Sequence, residues 1–311
     1  MGIYKNKKCN MQIIMEKVIK KIKEAIEKAW QYKLLLGTKF IEALGVLMLV
    51  YELVSLIFKP EYLGKDNVRI WIFIILALLS VGYALYSVFH KKDKLKICIN
   101  KRTDMTIEKG DVLKANGMRI IPVNEYFDTH LGDGIIKETS IHGQFLSQFK
   151  YRIYEMRKMI DEQLSRLEPL PSNRERTMVD GLPQKRYPLG TCIRVVIDGQ
   201  YYLLVAVTRF NSNEHVETSA EEYPEVIRKL FNGIEQLHDG NAVYLPLIGS
   251  GIAGYDLTNM QMLNTIVQAA HNANRLSLTN GLFLYLYDDK QIDSINLNVI
   301  KYLYDRWVTL K

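Results

Sequence analysis

The feature that most constrains this chain is a run of 20 residues, Ile70 to Phe89, without a single charged side chain. A helix needs about 20 apolar residues to cross the hydrocarbon core of a bilayer. A second apolar segment covers about Phe40 to Phe58, and the connector between the two, Lys59 to Arg69, is too short to form a domain. We therefore predict a transmembrane helical hairpin within residues 34–92, which argues against a purely soluble protein.

The first apolar segment contains two carboxylates at different depths. Glu42 lies near the entry end, one helical turn from Lys39, and we interpret it as interfacial. Glu52 lies six residues before Phe58, about 9 Å inside the segment at the rise of an α-helix. Carboxylates within a bilayer usually face a bundle interior or water. Glu52 is therefore a candidate membrane-functional residue in an oligomer interior, with a boundary residue as the alternative.

Lysine and arginine flank the predicted hairpin unevenly. The first 33 residues hold nine lysines and residues 90–102 hold six Lys and Arg, whereas the connector holds three. The positive-inside bias predicts that both termini are cytoplasmic. Residues 1–33 also contain apolar positions at helical spacing, from Met11 to Trp30, with lysines largely elsewhere. This pattern predicts a basic amphipathic helix, lying either on the membrane or against a protein surface.

The charge balance of the remaining chain argues against nucleic acid as a partner. Residues 103–311 hold 22 Lys and Arg against 26 Asp and Glu, whereas a nucleic-acid-binding domain is typically basic. The three cysteines, Cys9, Cys98 and Cys192, are widely spaced and form no ligand cluster. We therefore expect no disulfide framework and no metal site.

Residues 93–311 show alternating strand and helix patterns, which predict a single α/β domain. The segment from Pro169 to Gly190 has four prolines and no periodicity, so we interpret it as a long surface loop. The predicted strands are Leu95–Ile99, Met105–Glu108, Arg119–Val123, Cys192–Ile197, Tyr201–Val207, Ala242–Pro246 and Leu282–Tyr287. The predicted helices are Gly134–Gln148, Tyr151–Leu167, Ala220–His238, Asn259–Arg275 and Ile292–Leu310.

Glycine loops follow three of the predicted strands. The most informative one carries Gly249, Ser250, Gly251, Ile252, Ala253, Gly254 and Tyr255 and leads into a helix. Glycines let a backbone approach a diphosphate closely, and free N–H groups at a helix start favour anions. A second loop carries Gly132, Gly134 and Ile135, and a third carries Asp111 and Val112 after a strand. A glycine turn without a ligand is the alternative for each.

The spacing from Gly249 to Gly254 also matches the dinucleotide fingerprint of Rossmann domains. That fingerprint opens the first strand-to-helix turn and has an acidic residue about 20 positions later. Here the loop lies near the end of the chain, and Asp288 comes 34 residues after Gly254. The fingerprint is therefore disfavoured.

The three loops occur in the order found in macro domains, which bind ADP-ribose, and the chain resembles that family over most of Lys94 to Asp289. The resemblance implies a three-layer α/β/α fold with a mixed sheet. It also implies that Asp111 holds adenine, that Tyr287 stacks on it, and that the two longer loops enclose the diphosphate. From the residues alone, Tyr287 could equally be a core aromatic. No cofactor other than this ligand is implied.

One stretch departs from the hydrolytic members of that family. They carry Asn-Ala-Ala-Asn after the second core strand, whereas this chain reads Asn124-Glu-Tyr-Phe127-Asp128. Asn124 is retained as a candidate ligand contact, but Phe127 takes the position of the catalytic asparagine. We therefore expect binding without turnover and assign no catalytic residue.

The whole layout resembles the ThsA-type effectors of Thoeris anti-phage defence that combine two transmembrane helices with a divergent macro domain. Residues 121–128 and 140–145 are similar to that branch. The resemblance implies an NAD-derived signal, an ADP-ribose–histidine conjugate or related derivative, made by a partner TIR-domain enzyme. It further implies homo-oligomerisation on binding, disruption of the bacterial inner membrane and abortive infection.

Two other functions stay open from the sequence. One is a membrane-tethered ADP-ribosyl hydrolase, for which His130 and His142 could act as bases, although structural histidines are the commoner case. The other is a passive reader of ADP-ribosylated proteins at the membrane.

Overall fold

The computed structural model describes residues 29–58, 66–131, 135–171, 181–211, 215–251 and 254–304, with isolated positions at 17, 19–20, 23–24, 26–27, 176 and 213. The chain divides into two compact units, Met1–Lys91 and Lys92–Lys311. The predicted N-terminal helix falls partly outside the described residues. Its described positions from 17 to 31 are helical.

The first unit contains two long apolar helices, α1 (Lys33–Phe58) and α2 (Asp66–Phe89), which pack against each other. Both are long and apolar enough to cross a membrane, over Lys33–Ile57 and Asn67–Phe89. Each begins earlier than predicted, because Lys33, Lys39 and Arg69 extend the helices rather than ending them. Lys39 Nζ donates to Glu42 Oε2 at 2.7 Å. Because α1 begins at Lys33, Glu42 lies nine residues into the helix, farther from the helix end than the interfacial interpretation assumed.

The second unit is built on one mixed seven-stranded sheet in the order β1-β2-β7-β6-β3-β5-β4. All seven predicted strands are present. The five central strands β2, β7, β6, β3 and β5 run parallel, and the edge strands β1 and β4 are antiparallel to their neighbours. The strands are β1 (Lys94–Asn100), β2 (Thr103–Lys109), β3 (Met118–Asn124), β4 (Cys192–Ile197), β5 (Gln200–Thr208), β6 (Val243–Pro246) and β7 (Leu282–Leu286).

Helices cover both faces of the sheet, which confirms the predicted three-layer α/β/α macro-type architecture. On one face, α5 (Tyr223–Leu237), α6 (Asn259–Asn272) and α8 (Leu297–Tyr304) contribute to a continuous apolar core. On the other, α3 (Ile141–Gln148) and α4 (Ile153–Leu164) pack over a second core. Burial on both faces is typical of parallel strands.

The predicted helices are correct in kind but too long. The segment from 134 was expected to be helical, yet α3 begins only at Ile141, because the Ser140 side chain accepts from Gly143 N and caps the helix there. The predicted helix from Ile292 to Leu310 is interrupted, with α7 (Asp289–Asp293) ending before α8 begins. Residues 305–311 lie outside the described part of the chain.

The predicted surface loop from Pro169 to Gly190 is in part a core segment. The side chains of Leu182, Tyr187 and Leu189 are buried, and so is Arg176. Proline-rich composition indicates an irregular backbone, but it does not reveal which side chains the irregular segment places inside.

Candidate functional site

A cleft lies at the carboxyl ends of the five parallel strands. Its volume is about 410 Å³, and residues following β2, β7, β6, β3 and β5 line it. Parallel strands bring their carboxyl ends to one edge, so loops distant in sequence converge there. This edge therefore gathers the glycine loops that the sequence singled out.

The loop after β6 brings two glycines to the cleft. Gly249, Ser250 and Gly251 line it, and a β-carbon at Gly251 would meet nothing within 4 Å. Gly249 has a φ of 90°, which disfavours a side chain there. Ile252 and Ala253 lie outside the described residues, and Gly254 does not line the cleft.

Two tyrosines hold this loop from behind. Tyr223 Oη donates to Ile248 O at 2.7 Å, and Tyr255 Oη donates to Val207 O at 2.8 Å. Their rings meet edge to face, with centroids 4.9 Å apart. Burial raises the pKa of Tyr255, so the donating O–H is kept. Tyr255, a predicted ligand contact, thus lies behind the loop and supports it, because its ring completes the core there.

The helix after the loop begins outside the cleft lining. We predicted an anion site at this helix start. Thr258 and Gln261 instead form a capping box at the start of α6, and neither lines the cleft. The two capping side chains accept from each other's backbone N–H groups, those of Thr258 and Gln261. Donors for an anion must therefore come from the loop itself.

The turn after β2 forms one end of the cleft. Asp111 and Val112 line it, but Asp111 Oδ1 accepts from Leu113 N at 3.0 Å and Oδ2 lies 3.3 Å from Lys114 Nζ. The carboxylate thus caps its own turn while facing the cleft. Gly110 is required here, because a β-carbon would lie 2.6 Å from the Tyr285 ring.

Tyr287 stands at the same end of the cleft and is half exposed, at 51%. A core position for this ring, left open by the sequence, is therefore wrong. Its backbone N donates to Gln291 Oε1 at 2.8 Å, and Gln291 Nε2 donates to Ser250 Oγ at 2.8 Å. Gln291 thus ties the loops after β7 and β6 together. Sequence reasoning missed Gln291, although Asp288 three residues earlier has the spacing of a helix cap.

The turn after β3 contributes a buried side-chain network. Asn124 lines the cleft and is 4% exposed. Its Nδ2 donates to Asp128 Oδ2 at 2.9 Å, and its Oδ1 accepts from Tyr126 N at 3.1 Å. Phe127 is buried in the core and meets the Tyr187 ring edge to face, because its φ of 53° turns it away from the cleft.

On the opposite wall, Ile135 and His142 line the cleft. Burial lowers the pKa of His142 to about 4, partly offset by a hydrogen bond to the Asp128 backbone. The imidazole is therefore neutral at physiological pH. His130 is exposed and does not line the cleft. Gly132 and Gly134 lie outside the described residues.

Charged side chains are scarce around the cleft. Among its described lining residues, Lys137 is the one lysine or arginine, while Asp111 and Asp288 are acidic. An anionic ligand would therefore depend on backbone N–H groups, as glycine loops provide. The described residues contain no group of three or more potential metal ligands.

The chain is similar to several known proteins. The solved structures among them include a variant Oceanobacillus iheyensis macrodomain with ADPR (14% identity, TM-score 0.46, 68% of this chain and 99% of that one). They also include a Trypanosoma brucei macrodomain in complex with ADP-ribose (11% identity, TM-score 0.38, 63% of this chain and 68% of that one).

A curated relative, "Thoeris protein ThsA" of Bacillus amyloliquefaciens (strain Y2), is 28% identical over 231 residues, which cover 72% of this chain and 75% of the relative. The family model "Thoeris protein ThsA, Macro domain" matches residues 105–282, more than half of the chain. That stretch includes the Asp111 turn, the buried network after β3 and the glycine loop after β6. The chain therefore belongs to the Thoeris ThsA macro-domain family.

Proposed function

We propose that this chain is a membrane-anchored effector of Thoeris anti-phage defence whose cleft binds an ADP-ribose derivative. The observation that carries the proposal is the cleft itself. It lies at the carboxyl ends of five parallel strands, and Gly249 and Gly251 line it without side chains. Membership of the Thoeris ThsA family supports it.

The dimensions of the cleft fit an extended dinucleotide-like ligand. Five adjacent strands span about 19 Å at the usual spacing of ~4.8 Å. The volume of about 410 Å³ lies in the range of small-molecule sites. Tyr287 and Asp111 at one end suit a base, and the glycine loop in the middle suits a diphosphate.

The signal that we propose is an ADP-ribose–histidine conjugate, or a related derivative, produced from NAD by a partner TIR-domain enzyme. Calorimetry of the detergent-solubilised full chain with ADP-ribose, its histidine conjugate, cyclic ADP-ribose forms and NAD tests this. We expect the conjugate to bind most tightly and NAD to bind least. Binding of none of these compounds would contradict the proposed ligand class.

We further propose that the cleft reads the ligand without converting it. Phe127, which takes the position of the catalytic asparagine in hydrolytic relatives, is buried against Tyr187, and both amide atoms of Asn124 are engaged in the network. The ligand recovered after prolonged incubation should be unchanged by mass spectrometry. Catalytic release of ADP-ribose from a conjugate or ester would favour the hydrolase alternative.

The proposed output is disruption of the inner membrane by assembled hairpins. Glu52 is exposed on α1, and a carboxylate facing lipid is costly. Covering this face with further copies of the chain removes that cost. Ligand should therefore raise the mass of the solubilised particle, and ligand production in cells should admit a membrane-impermeant dye. A passive reader of ADP-ribosylated proteins would do neither.

Glu52 and Glu42 provide a matched pair for this test. Glu52→Leu should retain expression and ligand-induced assembly but lose dye entry, because the proposed aqueous interior loses its carboxylate. Glu42→Leu should retain dye entry, because Glu42 is already paired with Lys39. Normal dye entry with Glu52→Leu would make Glu52 a boundary residue.

The proposed topology has both termini in the cytoplasm. In a cysteine-free background, an impermeant thiol reagent should label Gly64→Cys in intact cells and should label Asn10→Cys and Ser172→Cys only after lysis. Labelling of Ser172→Cys in intact cells would reverse the orientation.

A further inference from the structure

A fully buried ion pair joins Arg176, which lies outside the predicted site motifs, to Asp128 in the turn after β3. Arg176 Nη1 and Nη2 donate to the two carboxylate oxygens of Asp128 at 2.8 and 2.9 Å, and both side chains are 0% exposed. The guanidinium also lies 3.9 Å from the centroid of the Tyr126 ring. Two parallel hydrogen bonds of this kind fix an arginine in one geometry.

The backbone of Arg176 is fixed as firmly as its side chain. Arg176 N donates to Gln184 Oε1 at 2.8 Å, and Gln184 Nε2 donates back to Arg176 O at 3.0 Å. Burying two charges is costly, and apolar replacements of such pairs are often as stable. A contribution to stability is thus a weak explanation for this pair, and the positions of the residues that it contacts are a better one.

Asp128 connects the ion pair to two residues that line the cleft. Asp128 Oδ2 accepts from Asn124 Nδ2 at 2.9 Å, and Asp128 N donates to Asn124 Oδ1 at 3.3 Å. The His142 imidazole hydrogen-bonds the Asp128 backbone. An amide donates two hydrogens from one nitrogen. With one given to Asp128, the other Asn124 hydrogen is held in a fixed plane beside the cleft.

We propose that Arg176 and Asp128 are positioning residues for ligand recognition. They orient the Asn124 amide as a donor to an oxygen of the ligand, a ribose hydroxyl or a phosphate, and they hold His142 through the Asp128 backbone. Arg176 thereby becomes part of the recognition apparatus, although it does not itself line the cleft. This inference rests on the proposed binding of an ADP-ribose derivative.

The test uses the full chain in detergent, ADP-ribose as the probe and calorimetry as the readout. The double variant Asp128→Leu/Arg176→Met removes both charges together, so no buried charge is left unpaired, and it also removes the oxygen that accepts from Asn124 Nδ2. We expect its Kd to be at least about tenfold higher, comparable to the loss of one hydrogen bond. Arg176→Lys keeps the charge without the two parallel bonds, should weaken binding less, and answers the question if the double variant does not fold.

Arg157→Met is the matched control. Arg157 Nη1 donates to Phe127 O at 2.9 Å in the same turn, and Arg157 lies outside the cleft lining. Its loss should lower the melting temperature without changing the Kd. If the double variant behaved in the same way, with a lower melting temperature and an unchanged Kd, the ion pair would be purely structural and the inference wrong.

A double-mutant cycle separates positioning from a general loss of the fold. If Arg176 and Asp128 act through Asn124, adding Asn124→Ala to the double variant should weaken binding by less than about threefold more, because the effects of coupled residues do not add. Full additivity would overturn the inference while leaving the proposed function standing. A wild-type chain that binds no ADP-ribose derivative would overturn both.

Discussion

The loop after β6 and the turn after β3 are neighbours at the cleft, yet they are built in opposite ways. The β6 loop, residues 247–251, offers bare backbone at Gly251 and is held from behind by Tyr223 and Tyr255. The β3 turn, residues 124–128, offers one buried amide that is held by a charged network. The first can be blocked by adding a side chain at Gly251, whereas the second depends on particular side chains that are already present.

The largest expected effect comes from blocking the β6 loop. Gly251→Glu places a carboxylate where a diphosphate is proposed, so sterics and charge both oppose the ligand, and we expect affinity to fall by at least about 1000-fold, or ~4 kcal/mol. Gly251→Ala should fold normally, because a β-carbon there meets nothing within 4 Å. Calorimetry on both variants checks this. Unchanged affinity with Gly251→Glu would remove the β6 loop from the site.

The next effect concerns His142, which contacts the turn after β3, and it is measured as a change in the free energy of unfolding. The folded pKa of His142 is lowered from 6.5 to about 4 by burial, so between these pH values the unfolded chain binds a proton that the folded chain does not. The free energy of unfolding therefore falls as the pH drops through this window, by up to about 3 kcal/mol.

His142→Gln should remove that contribution. Urea unfolding at pH 7 and pH 4.5 should show a smaller acid-induced loss in His142→Gln than in the wild type. Equal acid-induced losses of stability in the two chains would mean that the folded protein does not bury His142 as a neutral group.

The third prediction concerns Tyr287, at one end of the cleft. Tyr287→Ala should weaken binding of ADP-ribose about tenfold, at the lower end of measured base–aromatic stacking because the ring is half exposed. Tyr287→Phe keeps the ring and should bind as the wild type does. Equal affinity of the alanine and wild-type chains would show that the ring does not contact the ligand.

The smallest effect is expected at Asp111. Its Oδ1 already accepts from Leu113 N, so only part of the carboxylate is available to a base. Asp111→Ala should cost about 1 kcal/mol of binding. Asp111→Asn, which can still cap the turn, separates the two roles. If it lost as much affinity as alanine while keeping the melting temperature, the carboxylate would bind the ligand directly.

Features carried by neighbouring residues were predictable from the sequence. Short apolar segments between turn residues identified all seven strands, and the long apolar runs identified α1 and α2, because these patterns follow from local geometry. The glycines after β6 indicated the loop that lines the cleft, because glycine is the residue type that allows a positive φ and leaves the backbone uncovered. Helix ends were less predictable, because a cap can override the helical pattern around it, as Ser140 does where it starts α3 at Ile141 instead of Gly134.

The tertiary structure alone decided which loops meet and which side chains face the cleft. Sheet order brings β2 beside β7 and β3 beside β6, which no local pattern specifies. The tertiary structure also leaves Tyr287 half exposed at the cleft and buries Tyr255 in the core, although both were predicted to contact the ligand. Arg176 reaches Asp128 across 48 residues from a segment that looked like surface loop. Such contacts depend on long-range packing and on burial of charge, so neither composition nor periodicity could have revealed them.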